Sequence, residues 1–361
     1  MDVQAMLPTA NPVRFVAADG TTAEPPLGYA EPSSQRLLRA YRRMLLGRRF
    51  DQQAAALVRQ GRLAVYPSAS GQEACQIGGG LALEPDDWLF PTYRDSMALV
   101  TRGVDPTEVL ELLRGSWHCG YDPNEVRVAP QCTPLATQTP HAAGLAAALR
   151  RRGGSEVVLA FTGDGGTSEG DFHEALNFAA VFRAPVVFLV QNNQYAISVP
   201  LAKQTAAPAL SYKGVGYGVP SEQVDGNDLV AVLSVLDEAV ARARGGDGPT
   251  LVEAHTYRIG AHTNADDATR YRTDDEVSRW RDADPLARLE TFLRDRGELA
   301  DADVEEATAE AEQFALDVRT RMHQEPLVDP LQLFDHVHAE PTRQLAAQRA
   351  FLAAELAEQE D

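Results

Sequence analysis

The chain has 361 residues, a formal net charge of −19, and 44% hydrophobic and 24% charged residues. That composition predicts an ordinary soluble globular protein, long enough for one α/β domain with extensions. It also argues against a nucleic-acid backbone or an anionic membrane as the main partner. No apolar run approaches the roughly 20 residues needed to cross a bilayer. The opening "MDVQAMLPTANPVRF" lacks a basic segment followed by an apolar one, so no signal peptide is expected. The three cysteines, Cys75, Cys119 and Cys132, have neither metal-ligand nor redox spacing. Together these features predict a cytoplasmic protein with idle thiols.

Residues 1–32, rich in Pro, Ala and Thr, are expected to form an extended arm. Ser33 and Ser34 can cap a helix running to about Gln60, where Gly61 stops it. Leu37, Leu38, Tyr41, Met44 and Leu45 keep helical spacing along "RLLRAYRRMLLGRRF", which leaves the arginines as its solvated face. A second helical region follows in "SGQEACQIGGGLAL". The stretch from Cys119 to Pro140 is loop-like and long for a mere connector, which points to function. A small-residue helix, "HAAGLAAALRRRGG", comes next.

The centre reads as strand "EVVLAF", helix "SEGDFHEALNFAAVFR" and strand "APVVFLVQ". Helix "DLVAVLSVLDEAVARARGG" and strand "PTLVEAHTYR" follow. Strands alternating with helices of this length imply an α/β fold, a parallel sheet with helices on both faces. From Asp301 the pattern is helical, and a last helix starts near Pro341. The expected organisation is one α/β domain over 33–300, preceded by the arm 1–32 and followed by a helical extension over 301–361.

"FTGDGGTSEGDF", Phe161–Phe172, places an aspartate inside a glycine loop that follows a strand. A P-loop would end in Gly-Lys-Ser/Thr, which is absent. A dinucleotide fingerprint would have a third glycine where Ser168 stands. The remaining assignment makes Asp164 a ligand of Mg²⁺, the ion offsetting both the carboxylate and a diphosphate. A second ligand should come from the neighbouring strand end, where "VQNNQYAIS" offers the Asn193 amide oxygen and the Tyr195 carbonyl. A right-handed crossover puts both loops at one carboxyl edge of the sheet. Gly163 and Gly165 would permit the tight turn, Gly166 would allow close backbone approach, and the following helix N-terminus would favour the anion.

This pairing is the thiamine diphosphate–metal motif. From about Ser34 onward the chain resembles the alpha subunit of the decarboxylating component of 2-oxo acid dehydrogenase complexes. The resemblance rests on "TGDGGTSEGDFHEALNFAAVFRAPVVFLVQNNQYAISVP", "GQEA" at Gly71–Ala74, "YR" at Tyr93–Arg94 and "VDGND" at Val224–Asp228. "GPTLVEAHTYR" and "HTNADDATRYR" at His262–Arg272 complete it. It implies a thiamine diphosphate-binding fold in which Asp164, Asn193 and the Tyr195 carbonyl hold Mg²⁺. Gly165 and Gly166 would then approach the diphosphate, Tyr93 and Arg94 would contact the cofactor, and His262 would act near the reacting centre. Where animal relatives carry a phosphorylated serine after that histidine, this chain has Thr263.

"CTPLATQTP" resembles the branched-chain members, in which this loop binds K⁺. On that match Cys132, Pro134, Thr137 and Gln138 would surround K⁺, with Thr133 and Leu135 facing the cofactor. Cys132 stands where a serine is usual, and Gln191 where branched-chain relatives carry a diphosphate-binding arginine. Asp164 and "GGTSEGDF" look more like the bacterial pyruvate enzymes. The resemblance implies oxidative decarboxylation of a 2-oxo acid, with acyl transfer to the lipoyl group of an acyltransferase core. A branched substrate such as 3-methyl-2-oxobutanoate is expected, with Tyr66 a candidate for the acyl pocket; pyruvate dehydrogenase and an acetoin-type thiamine enzyme remain open. A scaffold subunit without cofactor would need damaged ligands, yet Asp164 and Asn193 are both present. The glutamate that activates the cofactor belongs to a separate beta subunit in this family, so an α₂β₂ heterotetramer is implied.

Overall fold

The computed structural model describes residues 3–24, 26–325 and 328–360. Parts of the expected arm and of the C-terminal extension thus lie outside the described residues. In chain order the first elements are α1 (Ser34–Arg59), α2 (Glu73–Leu81), β1 (Trp88–Phe90), α3 (Ser96–Thr101), α4 (Pro106–Arg114) and α5 (Pro123–Val126). Then come α6 (Gln138–Arg151), β2 (Val158–Gly163), α7 (Gly170–Phe182), β3 (Val186–Asn192) and the strand pair β4 (Tyr195–Ala196) and β5 (Val199–Pro200). The chain continues through α8 (Tyr212–Val215), β6 (Ser221–Asp225), α9 (Leu229–Arg244), β7 (Thr250–His255), α10 (Asp274–Asp282), α11 (Pro285–Asp295), α12 (Asp301–Met322) and α13 (Arg343–Glu360).

Five parallel strands form the sheet in the order β1-β2-β3-β7-β6. The strands are apolar throughout because both faces are covered. Leu159, Phe161, Val187, Leu189 and Val252 pack with α1, α2 and α9, while Val158, Ala160, Val186, Phe188 and Val190 pack with α6 and α7. Each such fully buried aliphatic or aromatic side chain contributes roughly 1.5–3 kcal/mol. Gly163 pairs with Gln191, and Asn192 with His255, so these strands end together along one edge. β1 and β6 are strands that periodicity does not reveal: the first has three residues, and the second reads "SEQVD".

Helix α1 follows expectation: Ser33 Oγ accepts from the Arg36 amide, and Gly61 takes φ 68° just past the end. Its arginines form a solvated face only in part: Arg39 and Arg43 are exposed, whereas four others meet acids. Arg36 pairs with Asp237, Arg42 with Glu306, Arg48 with Glu73 and Asp284, and Arg49 with Glu312. The acids come from α2, α9 and α12 and from the residue capping α11, so these four arginines bind neighbours. The arm is also more than a tail. Val13 bridges Val224 in parallel, with Val13 N donating to Gln223 O at 2.9 Å, and so extends the β6 edge.

The chain divides into two compact units, Met1–Met322 and His323–Asp361. The division falls after α12 rather than before Asp301, because Ala311, Val318 and Met322 are buried in the cluster that holds Leu37 and Phe50. The second unit consists of a short turn, Pro330–Phe334, and α13. Among the described residues no helix is long and apolar enough to cross a membrane.

Candidate functional site

A cleft opens at the carboxyl edge of β2 and β3. Tyr93, Arg94, Leu135, Asp164, Gly165, Gly166, Asn193, Tyr195 and His262 all line it. Asp164 follows β2 directly and is 1% exposed. Burial pushes its carboxyl above the ordinary value, partly offset by a hydrogen bond from Gln204. A carboxylate in that position calls for a cation.

The oxygens around it fit one. Asn193 Nδ2 donates to Gln72 Oε1 at 2.8 Å. This turns Asn193 Oδ1 toward two further acceptors, Tyr195 O at 3.1 Å and Asp164 Oδ1 at 3.2 Å. Turning the amide over would make it the donor to both, so either a proton or a cation must lie among these three oxygens. Neighbouring oxygens around an octahedral Mg²⁺ lie roughly 2.9 Å apart, given bonds near 2.0–2.1 Å. Among the described residues no three of His, Cys, Asp and Glu gather as a metal site. A cation here would therefore rely on one carboxylate, an amide, a carbonyl and the oxygens of an anionic ligand, the hard mixed set that suits Mg²⁺.

The turn beyond Asp164 is a single 3₁₀ turn, Gly165–Ser168, leading into α7. Its glycines are not needed for left-handed backbone, since neither Gly165 nor Gly166 has positive φ. A Cβ on Gly165 would come within 2.7 Å of Ala196 Cβ, and one on Gly166 within 2.4 Å of Thr162 Oγ1. Close packing selects glycine at both. Gly163 has neither constraint. Left-handed strain sits instead at Ala136 (φ 66°), Gln194 (φ 76°) and Ile197 (φ 56°), which border the cleft and cost on the order of 1–3 kcal/mol each. The buried Arg258 helps to hold the last of these and the neighbour of Gln194: it donates to Tyr195 O at 3.3 Å and Ile197 O at 2.7 Å.

Elsewhere in the cleft lining, Arg94 Nη1 donates to Ser68 O at 2.8 Å. Its Nη2 reaches His262 Nδ1 at 3.1 Å and His262 O at 3.0 Å. A guanidinium can only donate, so Nδ1 is the acceptor and the ring proton is on Nε2. Burial lowers the His262 pKa from 6.5 to about 4, with help from the nearby Arg94 and Arg258 charges. The imidazole is therefore neutral at physiological pH. Tyr93 meets its ring edge-on, with centroids 6.1 Å apart.

The loop before α6 divides. Leu135 lines the cleft, whereas Thr133 is exposed and does not. Cys132 Sγ donates to Pro134 O at 3.0 Å, and Cys132 O accepts from Tyr93 N at 3.1 Å. Thr137 Oγ1 lies 3.4 Å from Asp171 Oδ2. Gln138 turns inward and donates to Phe161 O at 2.7 Å, while its Oε1 is buried without a partner among the described residues. Tyr66 is not a lining residue: it is buried, and its hydroxyl donates to Asp51 Oδ1 at 2.9 Å.

Sequence reasoning missed Gln72, Thr92, Glu169, Ala196, Ile197 and Arg258, and met Gln191 only as a departure from the family. An amide relay joins several of them. Asn193 donates to Gln72, Gln72 to Gln191 Oε1 at 3.3 Å, and Gln191 to the buried Asp95 at 2.6 Å. "GQEA" carried a signal for Gln72 through the resemblance alone.

The model of the dehydrogenase E1 component family matches residues 41–328. The chain belongs to that family. Membership implies use of thiamine diphosphate. Among relatives of known name, it is 47% identical over 346 residues to the 3-methyl-2-oxobutanoate dehydrogenase subunit alpha of Mycobacterium tuberculosis (strain ATCC 25618 / H37Rv), an alignment covering 96% of this chain and 94% of the relative. It is also 43% identical over 292 residues to the pyruvate dehydrogenase E1 component subunit alpha of Staphylococcus aureus (strain N315), covering 78% and 79%. Both relatives are named as alpha subunits, which implies a beta-subunit partner for an E1 component of this kind.

Proposed function

We propose that the chain is the alpha subunit of a 2-oxo acid dehydrogenase that decarboxylates branched 2-oxo acids of the 3-methyl-2-oxobutanoate type. The observation that carries the site is the convergence of Asp164 Oδ1 and Tyr195 O on the Asn193 amide, at 3.2 and 3.1 Å from it. These would hold Mg²⁺, with Gly165, Gly166, Tyr93 and Arg94 against the diphosphate. Arginine suits that contact through paired charge-assisted bonds. When bound, thiamine diphosphate supplies the electron sink that lets a 2-oxo acid lose carbon dioxide. The chain's own part is to anchor, orient and manage protons. Arg94 fixes the His262 ring, leaving Nε2–H as the donor that would stabilise negative charge or return a proton beside the reacting carbon. Acyl transfer would go to a lipoyl group of the acyltransferase core from an α₂β₂ assembly in the cytoplasm. The loop carrying Cys132, Pro134, Thr137 and Gln138 would take K⁺, and the unpartnered Gln138 Oε1 supports this.

The branched substrate is favoured by the wider and closer match to the mycobacterial relative. "PLATQ" and "TYRIG", which resemble the branched-chain members, support it too. A hydrophobic pocket separates substrates by only about 1–3 kcal/mol per methylene, so pyruvate should be a poor but measurable substrate. The test is calorimetry and decarboxylation on the chain assembled with its beta subunit. Thiamine diphosphate binding should vanish in EDTA and return with Mg²⁺, and kcat/KM should be higher for 3-methyl-2-oxobutanoate than for pyruvate. Equal binding in EDTA would overturn the metal site; a preference for pyruvate would overturn the substrate alone.

A further inference from the structure

Gln204 belongs to no motif, yet it controls one half of the Asp164 carboxylate. Its Nε2 donates to Asp164 Oδ2 at 2.7 Å and to Val199 O at 3.0 Å. Both partners are acceptors, so the amide cannot be turned over without setting oxygen against oxygen. Its own Oε1 is buried with no partner among the described residues, a penalty the arrangement accepts in order to keep the two donor contacts. The backbone ties this residue to the metal oxygens as well. Gln204 follows the β4–β5 pair that carries Tyr195, and Leu201 N donates to Gln194 O at 3.0 Å across its base. The two carboxylate oxygens are thereby divided. Oδ2 is engaged by Gln204, and Oδ1 is the one facing the Asn193 amide at 3.2 Å.

We propose that Gln204 is a positioning residue that makes Asp164 a one-oxygen ligand and thereby biases the site toward Mg²⁺ over Ca²⁺. Mg²⁺ takes six oxygens in a tight octahedron and is served by single carboxylate oxygens. Ca²⁺ takes six to eight at longer range and readily accepts both oxygens of one carboxylate. Withholding Oδ2 therefore removes a contact that only the larger ion would use. It also fixes the aim of Oδ1, which the smaller ion needs more. Groups that orient a ligand from outside the coordination shell change metal affinity by about 10–100-fold when lost.

The inference rests on the proposed metal site, and one experiment separates the two. Thiamine diphosphate affinity is measured calorimetrically on the assembled alpha and beta subunits, in Mg²⁺ and separately in Ca²⁺. Wild type is compared with Gln204→Leu and Gln204→Met, and thermal unfolding of each assembly is recorded. Both variants should lose about tenfold in Mg²⁺-supported affinity, while Ca²⁺-supported affinity holds or improves, so the Mg²⁺/Ca²⁺ ratio falls about tenfold. A parallel loss with both ions would show that Gln204 only packs, and no loss with either would show that it does not act on Asp164. If Gln204→Leu fails to assemble, Gln204→Met, which keeps a flexible unbranched chain without the donor, decides. Wild-type binding that ignores metal altogether would instead remove the underlying site.

Discussion

At one end of the cleft Asp164, Asn193 and Tyr195 are nearly sealed, with exposures of 1, 7 and 8%. They stand where β2 and β3 stop in register. At the other end His262 lies on the irregular run between β7 and α10, interrupted only by the short turn Ala268–Arg270, and Leu135 nearby is 38% exposed. The first end is placed by sheet pairing, so its geometry is settled once the core folds. The second hangs on a few side-chain contacts: Arg94 to the ring and carbonyl of His262, and Asp266 Oδ2 accepting from His262 N at 2.8 Å. On the proposed reading, anchoring would need this chain alone, whereas the more open end would be covered by the beta subunit.

The strongest way to break this contrast is Asp164→Ala. Losing an outer group already weakens metal sites by about 10–100-fold, so losing a charged ligand should abolish Mg²⁺-dependent cofactor binding over the usual range. The same change should leave the ligand-free protein as stable or more stable at neutral pH. Burial raises the folded-state pKa of Asp164, so its charge opposes folding above the unfolded value near 3.8, and the penalty grows as pH rises toward the folded pKa. Differential scanning calorimetry would therefore show an unchanged or higher ligand-free Tm, with no upward shift on adding Mg²⁺ and thiamine diphosphate. A variant that unfolds readily without ligand would show instead that Asp164 supports the fold.

His262→Ala probes the other end. It should leave cofactor affinity almost intact and lower kcat by roughly 10²-fold, the usual scale for a positioned proton-transfer group. The wild-type ring gives a sharper test. Its pKa of about 4, lowered by burial and two guanidiniums, predicts no imidazole titration between pH 5.5 and 8 in the ligand-free protein. A bound diphosphate offsets the Arg94 and Arg258 charges, so the pKa should rise on loading. NMR of the labelled ring checks both; a midpoint near 6.5 without ligand would contradict the contact with Arg94.

The anchoring end was also the legible one. The run from β2 through α7 to β3 has strong apolar strands and adjacent pairing, and that alone brings Asp164 and Asn193 to one edge. Asn192, the other member of the pair, is taken up by Glu253 Oε1 at 2.7 Å, since alternate residues leave a strand on opposite sides. Gln204 and Arg258 were illegible, and Gln72 and Gln191 surfaced only through the resemblance, because their roles arise from contacts among distant segments. Arg36, Arg42, Arg48 and Arg49 of α1 misled for the same reason: a charged helix face reads as solvated until acids of other helices pack against it. Thr133 was carried by resemblance and Tyr66 was a candidate for the acyl pocket; the first is exposed and the second is buried against Asp51, so neither lines the cleft.

The smallest expected effect belongs to Cys132, whose loop borders the cleft. Its carbonyl accepts from the Tyr93 amide, while its thiol donates to Pro134 O one step before Leu135. A thiol is a soft group and a poor partner for K⁺, whereas a hydroxyl is a hard oxygen and a stronger hydrogen-bond donor. Cys132→Ser should therefore leave kcat nearly unchanged while lowering the K⁺ concentration needed for half-maximal stabilisation. That shift should be a few-fold, corresponding to a hydrogen-bond-sized change of about 0.5–1.5 kcal/mol. The measurement is the Tm of the assembled protein titrated with KCl against tetramethylammonium chloride at matched ionic strength. If neither protein distinguishes the two salts, the loop holds no K⁺, and the buried Gln138 Oε1 must be satisfied by water. If K⁺ stabilises both equally, the cation binds through backbone oxygens alone, and the side chain at 132 matters only through its bond to Pro134.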